Sequence, residues 1–220
     1  MSPNITPNQI QTNPAVDLLQ FYEQEELEEQ NNTIVDQHMS KFCDYTTIED
    51  LATSIKTNTK MSMLNLNIQS LRAHWSDFQL FLDQFSKEKS HFNIIALTEL
   101  FTIPSGINYE MEGYHPLIAK SRPTQNGIRG GVGMFIDESY LVSQRDDLGV
   151  FIPHVIESAF VEIQRSKKEK SVIVGTIYRP NSPPLADLTK CIKIIQDIIE
   201  KISNEDKICY LMGDMNILIS

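Results

Sequence analysis

The segment Ile208–Asn216, with the sequence ICYLMGDMN, carries the most informative pattern for the fold. Its opening run, Ile208–Met212, is apolar enough for a buried strand, and Asp214 and Asn216 follow that run. An apolar stripe at helical spacing precedes the strand and predicts a long amphipathic helix, with Leu188, Cys191, Ile195, Ile198 and Ile202 on one face. The segment therefore reads as a helix and then a strand, with polar side chains where the strand ends.

Similar patterns extend back along the chain to Met61. Met61–Ile68 alternates apolar and polar residues as a half-buried strand does, and Phe92–Leu97 is a short apolar run of the buried-strand type. A helix between them is indicated by the spacing of Trp75, Phe78, Leu82 and Phe85. Further strands are predicted at Tyr114–Ala119, Gly130–Ile136, Glu157–Ile163 and Ser171–Tyr178. The order of these elements predicts an α/β or α+β architecture in which helices cover sheets.

The charge of the chain is distributed unevenly. Of 220 residues, 41% are hydrophobic and 22% are charged, which suffices for one globular domain and an appendage. Residues 1–60 hold 3 Lys/Arg against 10 Asp/Glu, a balance of −7, whereas residues 61–220 hold 16 against 19, a balance of −3. We expect residues 1–60 to be an acidic, Asn/Gln-rich, mostly disordered leader and residues 61–220 to be the domain. A charge near neutrality neither supports nor excludes a nucleic-acid substrate.

The cellular compartment is indicated by features that the sequence lacks. No apolar run is long enough to span a bilayer, and the polar start of the chain has no secretory signal. Cys43, Cys191 and Cys209 follow neither a zinc motif nor a disulfide pattern. We therefore expect an intracellular protein, nuclear or cytoplasmic and not secreted, with no membrane partner. The sequence gives no indication of oligomeric state.

Polar side chains stand where four predicted strands end. Asn67 closes the first strand, and Glu99 follows Phe92–Leu97. Tyr178 ends the predicted strand Ser171–Tyr178. Asp214 and Asn216 follow Ile208–Met212. Functional groups concentrate at such positions because a rigid sheet holds the loops beyond its strands. Each residue alone has an ordinary explanation as a turn former or a loop residue, but the set is a candidate site.

The residue types in this set suit phosphodiester hydrolysis, which needs a cation and an activated water. Glu99 is a natural ligand for Mg²⁺, or for Mn²⁺, with Asn67 as a neutral oxygen donor beside it. Asp214 can orient or deprotonate a water molecule, and Asn216 and Tyr178 can donate hydrogen bonds to a phosphate oxygen. We expect Asp214, Asn216 and Tyr178 to act in catalysis and Glu99 and Asn67 to bind the metal.

Four segments in order resemble the endonuclease/exonuclease/phosphatase superfamily: LNLNIQSL (Leu64–Leu71), IIALTEL (Ile94–Leu100), GTIYRPN (Gly175–Asn181) and YLMGDMN (Tyr210–Asn216). They are most similar to the AP-endonuclease-like domain of non-LTR retrotransposons, as is the Gly-rich stretch within Gly113–Ile136. The resemblance implies a four-layered α/β sandwich of the deoxyribonuclease type, with two face-to-face β-sheets flanked by helices. It also implies magnesium-dependent nicking of DNA, and a reverse transcriptase domain in the full-length element.

The resemblance further implies a segment that this sequence does not contain. Relatives continue past the Asp-x-Asn motif to an acidic residue beside a histidine that handles the proton of the attacking water. The sequence ends four residues after Asn216, so we expect a domain truncated at its C-terminus. Loss of that general base would impair activity by roughly 10²–10⁴. Whether this chain is an active enzyme alone therefore stays open.

Other roles also remain open. Arg122, Arg129 and Arg179 are candidates for contacts with DNA phosphates, although solvation at the surface is at least as reasonable for each. The Gly-rich stretch Gly127–Gly133 precedes a strand rather than a helix, so it is interpreted as a hairpin turn and not as a phosphate loop. The alternatives to a nuclease are a non-catalytic remnant that acts as an interaction module and a phosphatase of the same superfamily.

Overall fold

A computed structural model describes residues 46–58, 61–103, 106–120, 130–164, 169–180 and 185–216. The chain divides into two compact units, Thr47–Leu218 and a second unit made of Met1–Thr46 with Ile219–Ser220. All but one residue of the second unit lies outside the described residues, as does most of the predicted leader. The fold is therefore that of the unit Thr47–Leu218.

The helices and strands of this unit follow one another in the order that the sequence predicts, with a few additions. In chain order they are α1 (Ile48–Asn58), β1 (Met63–Asn67), α2 (Leu71–Lys87), β2 (Ile94–Thr98), β3 (Ile118–Lys120), β4 (Val132–Ile136), β5 (Leu141–Gln144), β6 (Phe151–Ile152), β7 (Ile156–Gln164), β8 (Val172–Tyr178), α3 (Leu185–Ser203) and β9 (Ile208–Asp214).

The strands form two mixed sheets. The first sheet has the order β1-β2-β4-β3, and the second has the order β5-β7-β8-β9 with β6 paired to β7. In each sheet one pair is parallel, β1 with β2 and β8 with β9, and a helix connects its two strands. The register places Asn67 beside Thr98 and Tyr178 beside Asp214. Each parallel pair therefore ends with polar residues side by side.

The domain has four layers, a helical layer, two sheets and a second helical layer, and an apolar cluster fills each of the three spaces between them. Between the sheets, Ile94, Ala96, Val132 and Met134 of the first sheet pack against Ala159, Val161, Val172 and Val174 of the second. Phe78 and Phe85 of α2 cover the outer face of the first sheet. Cys191, Ile198 and Ile202 of α3 cover the outer face of the second. The predicted four-layered α/β sandwich is confirmed.

Helix α1 lies within residues 1–60, which the sequence assigns to a solvated leader. Ala52 is fully buried, and Ile48, Leu51 and Ile55 pack against the same cluster as Phe78. These apolar residues are three and four positions apart, so they lie on one face of the helix. The segment Ile48–Asn58 consequently packs as part of the unit Thr47–Leu218.

Three short elements differ from the sequence prediction. The strand predicted at Tyr114–Ala119 is reduced to Ile118–Lys120, because Tyr114 makes only an isolated bridge with Asp137. Strands β5 and β6 were not predicted, since β5 is largely exposed and β6 is only two residues long. Trp75, which lies on the apolar stripe that predicted α2, packs against Tyr109 and Phe135. No helix among the described residues has the length and apolar character needed to cross a membrane.

Candidate functional site

The ends of four strands bring together the side chains of Asn67, Glu99, Tyr178 and Asp214. Asn67 Nδ2 donates to Glu99 Oε1 at 3.2 Å and to Asp214 Oδ2 at 3.0 Å. Tyr178 Oη donates to the same Glu99 oxygen at 3.0 Å. Asn67 and Glu99 belong to the first sheet, and Tyr178 and Asp214 belong to the second. One hydrogen-bonded cluster therefore joins the two sheets at one end of the sandwich.

The alternation of the strands explains why these side chains meet. Residues of even number in β8 and β9, such as Val174 and Met212, face the layer between the sheets. Tyr178 and Asp214 share that parity, and in β1 Asn67 shares the parity of the inward-facing Met63. The cluster is therefore the polar end of an otherwise apolar layer.

The amide of Asn67 is oriented differently from the sequence expectation. Its NH₂ group faces the two carboxylates, while its Oδ1 accepts a hydrogen bond from the backbone N–H of Gln69 at 3.2 Å. In this orientation Asn67 links Glu99 to Asp214 as a donor. Rotation of the amide by half a turn would present Oδ1, the oxygen that can bind a cation, to the same two carboxylates.

The oxygen atoms of the cluster fit a hard divalent cation. Among the described residues, no donor reaches Glu99 Oε2 or Asp214 Oδ1, and both side chains are partly exposed. Within the same part of the chain, no group of three or more His, Cys, Asp or Glu side chains is placed to hold a metal. Mg²⁺ is commonly held by one or two carboxylates and several waters, so Glu99 and Asp214 match its requirements.

Tyr178 is held in its neutral form. The residue is buried, and burial raises the pKa of its phenol, with the hydrogen bond to Glu99 and the charge of Glu99 acting in the same direction. The charges of Glu157 and Asp214 raise this pKa further. Tyr178 therefore keeps its proton at neutral pH and remains a hydrogen-bond donor.

Arg179 occupies a different place from the surface position expected of a substrate-binding residue. It is buried, its Nε donates to the carbonyl of Met215 at 2.7 Å, and its Nη2 donates to the carbonyl of Asn216. Its backbone N–H donates to the carbonyl of Asp214 at 2.9 Å, and Asn216 Nδ2 donates back to the carbonyl of Arg179 at 2.8 Å. The guanidinium therefore holds the turn that carries Asp214 and Asn216, because a buried guanidinium needs fixed acceptors.

Several residues of the site have backbone conformations that are rare outside glycine. The φ angles are +55° at Glu99, +46° at Asn216, +45° at Gln69 and +97° at Ser70. A positive φ disfavours residues with a Cβ, so such conformations persist only where neighbouring structure holds them. Their concentration beside Asn67 and Glu99 is typical of a functional site rather than of a simple strand exit.

Glu157 also belongs to this end of the sandwich, and the sequence did not indicate it as a site residue. Its side chain is fully buried, and in the register it stands opposite Tyr178. It accepts a hydrogen bond from the backbone N–H of Gly131. The available signal was the inward face of β7, on which Ala159 and Val161 are apolar and only Glu157 carries a charge.

The remaining candidates lie elsewhere. Arg122 and Arg129 fall outside the described residues. None of the four described histidines is hydrogen-bonded to the cluster; His91, for example, pairs with Asp137 at 2.7 Å. A cavity of about 560 Å³ beside His91 and Asp137 lies before the start of β2, at the opposite end of that strand from Glu99.

Comparisons with known proteins bear on the fold. No protein-family profile matches the chain, and no curated protein matches its sequence. The solved 3′ phosphatase NExo from Neisseria, bound to a product DNA hairpin, is 17% identical with a TM-score of 0.52, over 73% of this chain and 59% of that one. ANGEL2, a 2′,3′-cyclic phosphatase in complex with adenosine-2′,3′-vanadate, is 16% identical with a TM-score of 0.50, over 73% and 54%.

The likeness covers part of each solved protein. The chain spans little more than half the length of either solved protein, and the identities are low. The Neisseria protein is a member of the endonuclease/exonuclease/phosphatase superfamily. The chain therefore has the α/β sandwich fold of that superfamily, with its candidate site at the ends of β1, β2, β8 and β9.

Proposed function

We propose that this chain carries a divalent-metal-dependent phosphodiester-cleaving site and that its substrate is DNA. The observation that carries this proposal is the cluster in which Asn67 bridges the carboxylates of Glu99 and Asp214 while Tyr178 donates to Glu99. Four strand ends supply these residues, and the same residues carry the motif resemblance to retrotransposon endonucleases. Two independent arguments, motif order and spatial convergence, thus agree on one site.

Glu99, with the amide oxygen of Asn67, would hold Mg²⁺ or Mn²⁺, and Asp214 lies beside them across the Asn67 amide. When bound, the cation neutralises charge on the phosphoryl oxygens and lowers the pKa of water. Tyr178 supplies a neutral O–H that can move from Glu99 to a phosphate oxygen. Asn216 Nδ2 uses one hydrogen for the carbonyl of Arg179 and has a second for phosphate. Asp214 orients the attacking water and accepts its proton.

DNA is favoured as substrate by the motifs and by one neighbour. The Gly-rich stretch and the Tyr-Arg-Pro-Asn segment resemble retrotransposon endonucleases, in which nicking of the target precedes reverse transcription. The Neisseria neighbour was solved with a DNA hairpin. On this reading a reverse transcriptase domain accompanies the site in the full-length element, and Arg122 and Arg129 contact DNA phosphates.

A plasmid-nicking assay tests the proposal directly. The full chain is incubated with supercoiled DNA and Mg²⁺ or Mn²⁺, beside Glu99→Ala, Asp214→Ala and a matched control, Glu200→Ala, which removes an exposed carboxylate from α3. We expect metal-dependent nicking that both site variants reduce by at least about 10² and that the control leaves unchanged. Nicking that survives Glu99→Ala would reject the assigned site.

Two other functions have specific support. Both reported neighbours are phosphatases, which favours a phosphomonoester or cyclic phosphate as an alternative substrate of the same site. Release of phosphate from such substrates, lost in Glu99→Ala and without nicking of DNA, would select it. The second alternative is a non-catalytic interaction module, in which the hydrogen bonds of Asn67 with Glu99 and Asp214 serve only to join the two sheets. Absence of any thermal shift with Mg²⁺ or Mn²⁺ would select that module.

A further inference from the structure

A buried carboxylate stands behind the proposed metal site. Glu157 is fully buried at the start of β7, where the alternation of the strand directs its side chain to the layer between the sheets. The next residues on that face, Ala159, Val161 and Ile163, all pack in the apolar layer. A buried carboxylate costs several kcal/mol unless other groups hydrogen-bond to it. Glu157 therefore needs a role that an apolar side chain could not fill.

The turn Gly130–Gly131 is shaped around this carboxylate. The backbone N–H of Gly131 donates to Glu157 Oε2. A Cβ atom placed on Gly130 would lie 2.6 Å from Oε1 and 2.7 Å from Oε2 of Glu157, so the carboxylate would have to shift. The φ angles of Gly130 and Gly131 are +95° and +90°, which glycine alone adopts without strain. Gly130 is thus explained by its approach to Glu157, whereas a Cβ on Gly131 would meet Leu100 at 3.2 Å.

The same turn holds the loop that presents Glu99. The backbone N–H of Leu100 donates to the carbonyl of Gly131 at 3.2 Å, and that of Phe101 donates to the carbonyl of Gly130 at 2.7 Å. Glu99 and Phe101 have positive φ angles of +55° and +59°. These two residues keep an unfavourable conformation only while the hydrogen bonds around them are maintained. A continuous chain of contacts therefore runs from the Glu157 carboxylate to the Glu99 backbone.

Accordingly, we propose that Glu157 is a positioning residue for the metal ligand Glu99, acting through the Gly130–Gly131 turn. The inference rests on the proposed function, because it assigns Glu157 a part in metal binding at that site. Groups that orient metal ligands typically change metal affinity by about 10–100-fold when they are removed. Glu157 itself does not touch the cation, and its effect is mediated by the loop Glu99–Phe101.

The test measures metal affinity and stability separately in the full chain. Binding of Mn²⁺ is followed by calorimetric titration, and the melting temperature is measured without metal. We expect Glu157→Ala to raise the half-saturating Mn²⁺ concentration by about 10–100-fold. Glu157→Gln keeps an oxygen that can accept from Gly131 and should stay within about threefold of the parent. A Glu157→Ala variant that melts lower but binds Mn²⁺ like the parent would overturn the proposal.

A second substitution perturbs the same contact at Gly130 instead of at Glu157. Gly130→Ala leaves Glu157 in the sequence but places a Cβ against its carboxylate and strains the turn at a φ of +95°, so it should also raise the Mn²⁺ requirement. It tests the part of the turn in the contact chain if Glu157→Ala does not fold, and an unchanged Mn²⁺ requirement would again overturn the proposal. Glu162→Ala on the same strand removes a carboxylate that pairs with Lys207, and should alter stability alone.

The result for Glu99→Ala separates the two hypotheses. If Glu99→Ala abolishes Mn²⁺ binding while Glu157→Ala and Gly130→Ala do not weaken it, the metal site of the proposed function stands and the role of Glu157 is rejected. If Glu99→Ala binds Mn²⁺ as the parent does, the metal site itself is rejected, and the positioning role is rejected with it.

Discussion

Removal of the Arg179 guanidinium should loosen the turn that carries Asp214 and Asn216. In the structure this buried side chain donates to the carbonyls of Met215 and Asn216, while its backbone N–H donates to the carbonyl of Asp214. Arg179→Ala keeps the backbone bond and removes both side-chain bonds. The change therefore isolates what the guanidinium contributes to the turn.

The magnitude follows from the two lost hydrogen bonds of Arg179. Hydrogen bonds to a charged group contribute about 1.5–3 kcal/mol each, so two of them set a ceiling of about 6 kcal/mol. Met215 and Asn216 are partly exposed, and water can replace part of the loss, so we expect about 3 kcal/mol. For a unit of this size, each kcal/mol lowers the melting temperature by about 2–4 °C, which gives a decrease of about 6–12 °C.

Thermal melting of the parent, Arg179→Ala, Arg179→Lys and Lys193→Ala provides the assay. Lysine offers a single point charge and cannot span two carbonyls, so Arg179→Lys should fall between the parent and Arg179→Ala. Lys193 forms an exposed ion pair with Asp197 at 2.7 Å, and its removal should leave the melting temperature unchanged. If Arg179→Ala melts within about 2 °C of the parent, the guanidinium does not hold the turn.

Three further changes test other parts of the structure. Tyr178→Phe removes the donor but keeps the ring, so cleavage should fall by about 10²–10³ with little change in melting temperature; an equal rate would exclude donation to phosphate. Hydrogen bonds from Arg145 and then Lys207 lower the pKa of Glu205 from 4.5 to about 2. Their stabilisation is therefore present above pH 4.5 and lost as the pH falls towards 2, so the melting temperatures of the parent and Glu205→Gln should converge over that range. Ala52→Asp buries a charge where α1 packs on the core, and should lower the free energy of unfolding by at least about 3 kcal/mol. Thr53→Asp, at the neighbouring exposed position, should be tolerated. Equal melting temperatures for the two variants would show that α1 does not pack against the core.

The strained backbone near Glu99 is consistent with a role in fixing the side chains of the proposed site. Gln69, Ser70, Glu99 and Asn216 all have positive φ angles, and each lies next to or within the proposed site. The backbone N–H of Ser70 donates to the carbonyl of Glu99 at 2.8 Å, so two of these strained loops hold each other. Conformations of this kind cost about 1–3 kcal/mol each, and the packed sheets on either side maintain them. The cost is consistent with side chains that are fixed before a ligand arrives.

Much of the fold could be predicted because its elements have simple periods. Alternation in Met61–Ile68 and the apolar runs before Glu99 and Asp214 identified β1, β2 and β9 to within two residues. Helix α1 was not predicted from the sequence, because its single apolar face lies within an acidic, Asn-rich segment. Tertiary packing of Ala52 against α2 and its neighbours gives that short helix its place, and a short helix is only marginally stable by itself.

The residues at the ends of the strands could be predicted from the chain alone, since the side-chain period of a strand fixes its inward face and its apolar run fixes where it ends. The pattern therefore identified Asn67, Glu99, Tyr178, Asp214 and Asn216 as one set. The groups that support these residues became visible in the folded structure alone, because partners on two sheets are far apart in the chain and leave no local pattern. Packing turned Arg179 inward to its carbonyls and placed Glu157 behind the Glu99 loop, where a buried charge is tolerated only with its hydrogen-bond donor in place.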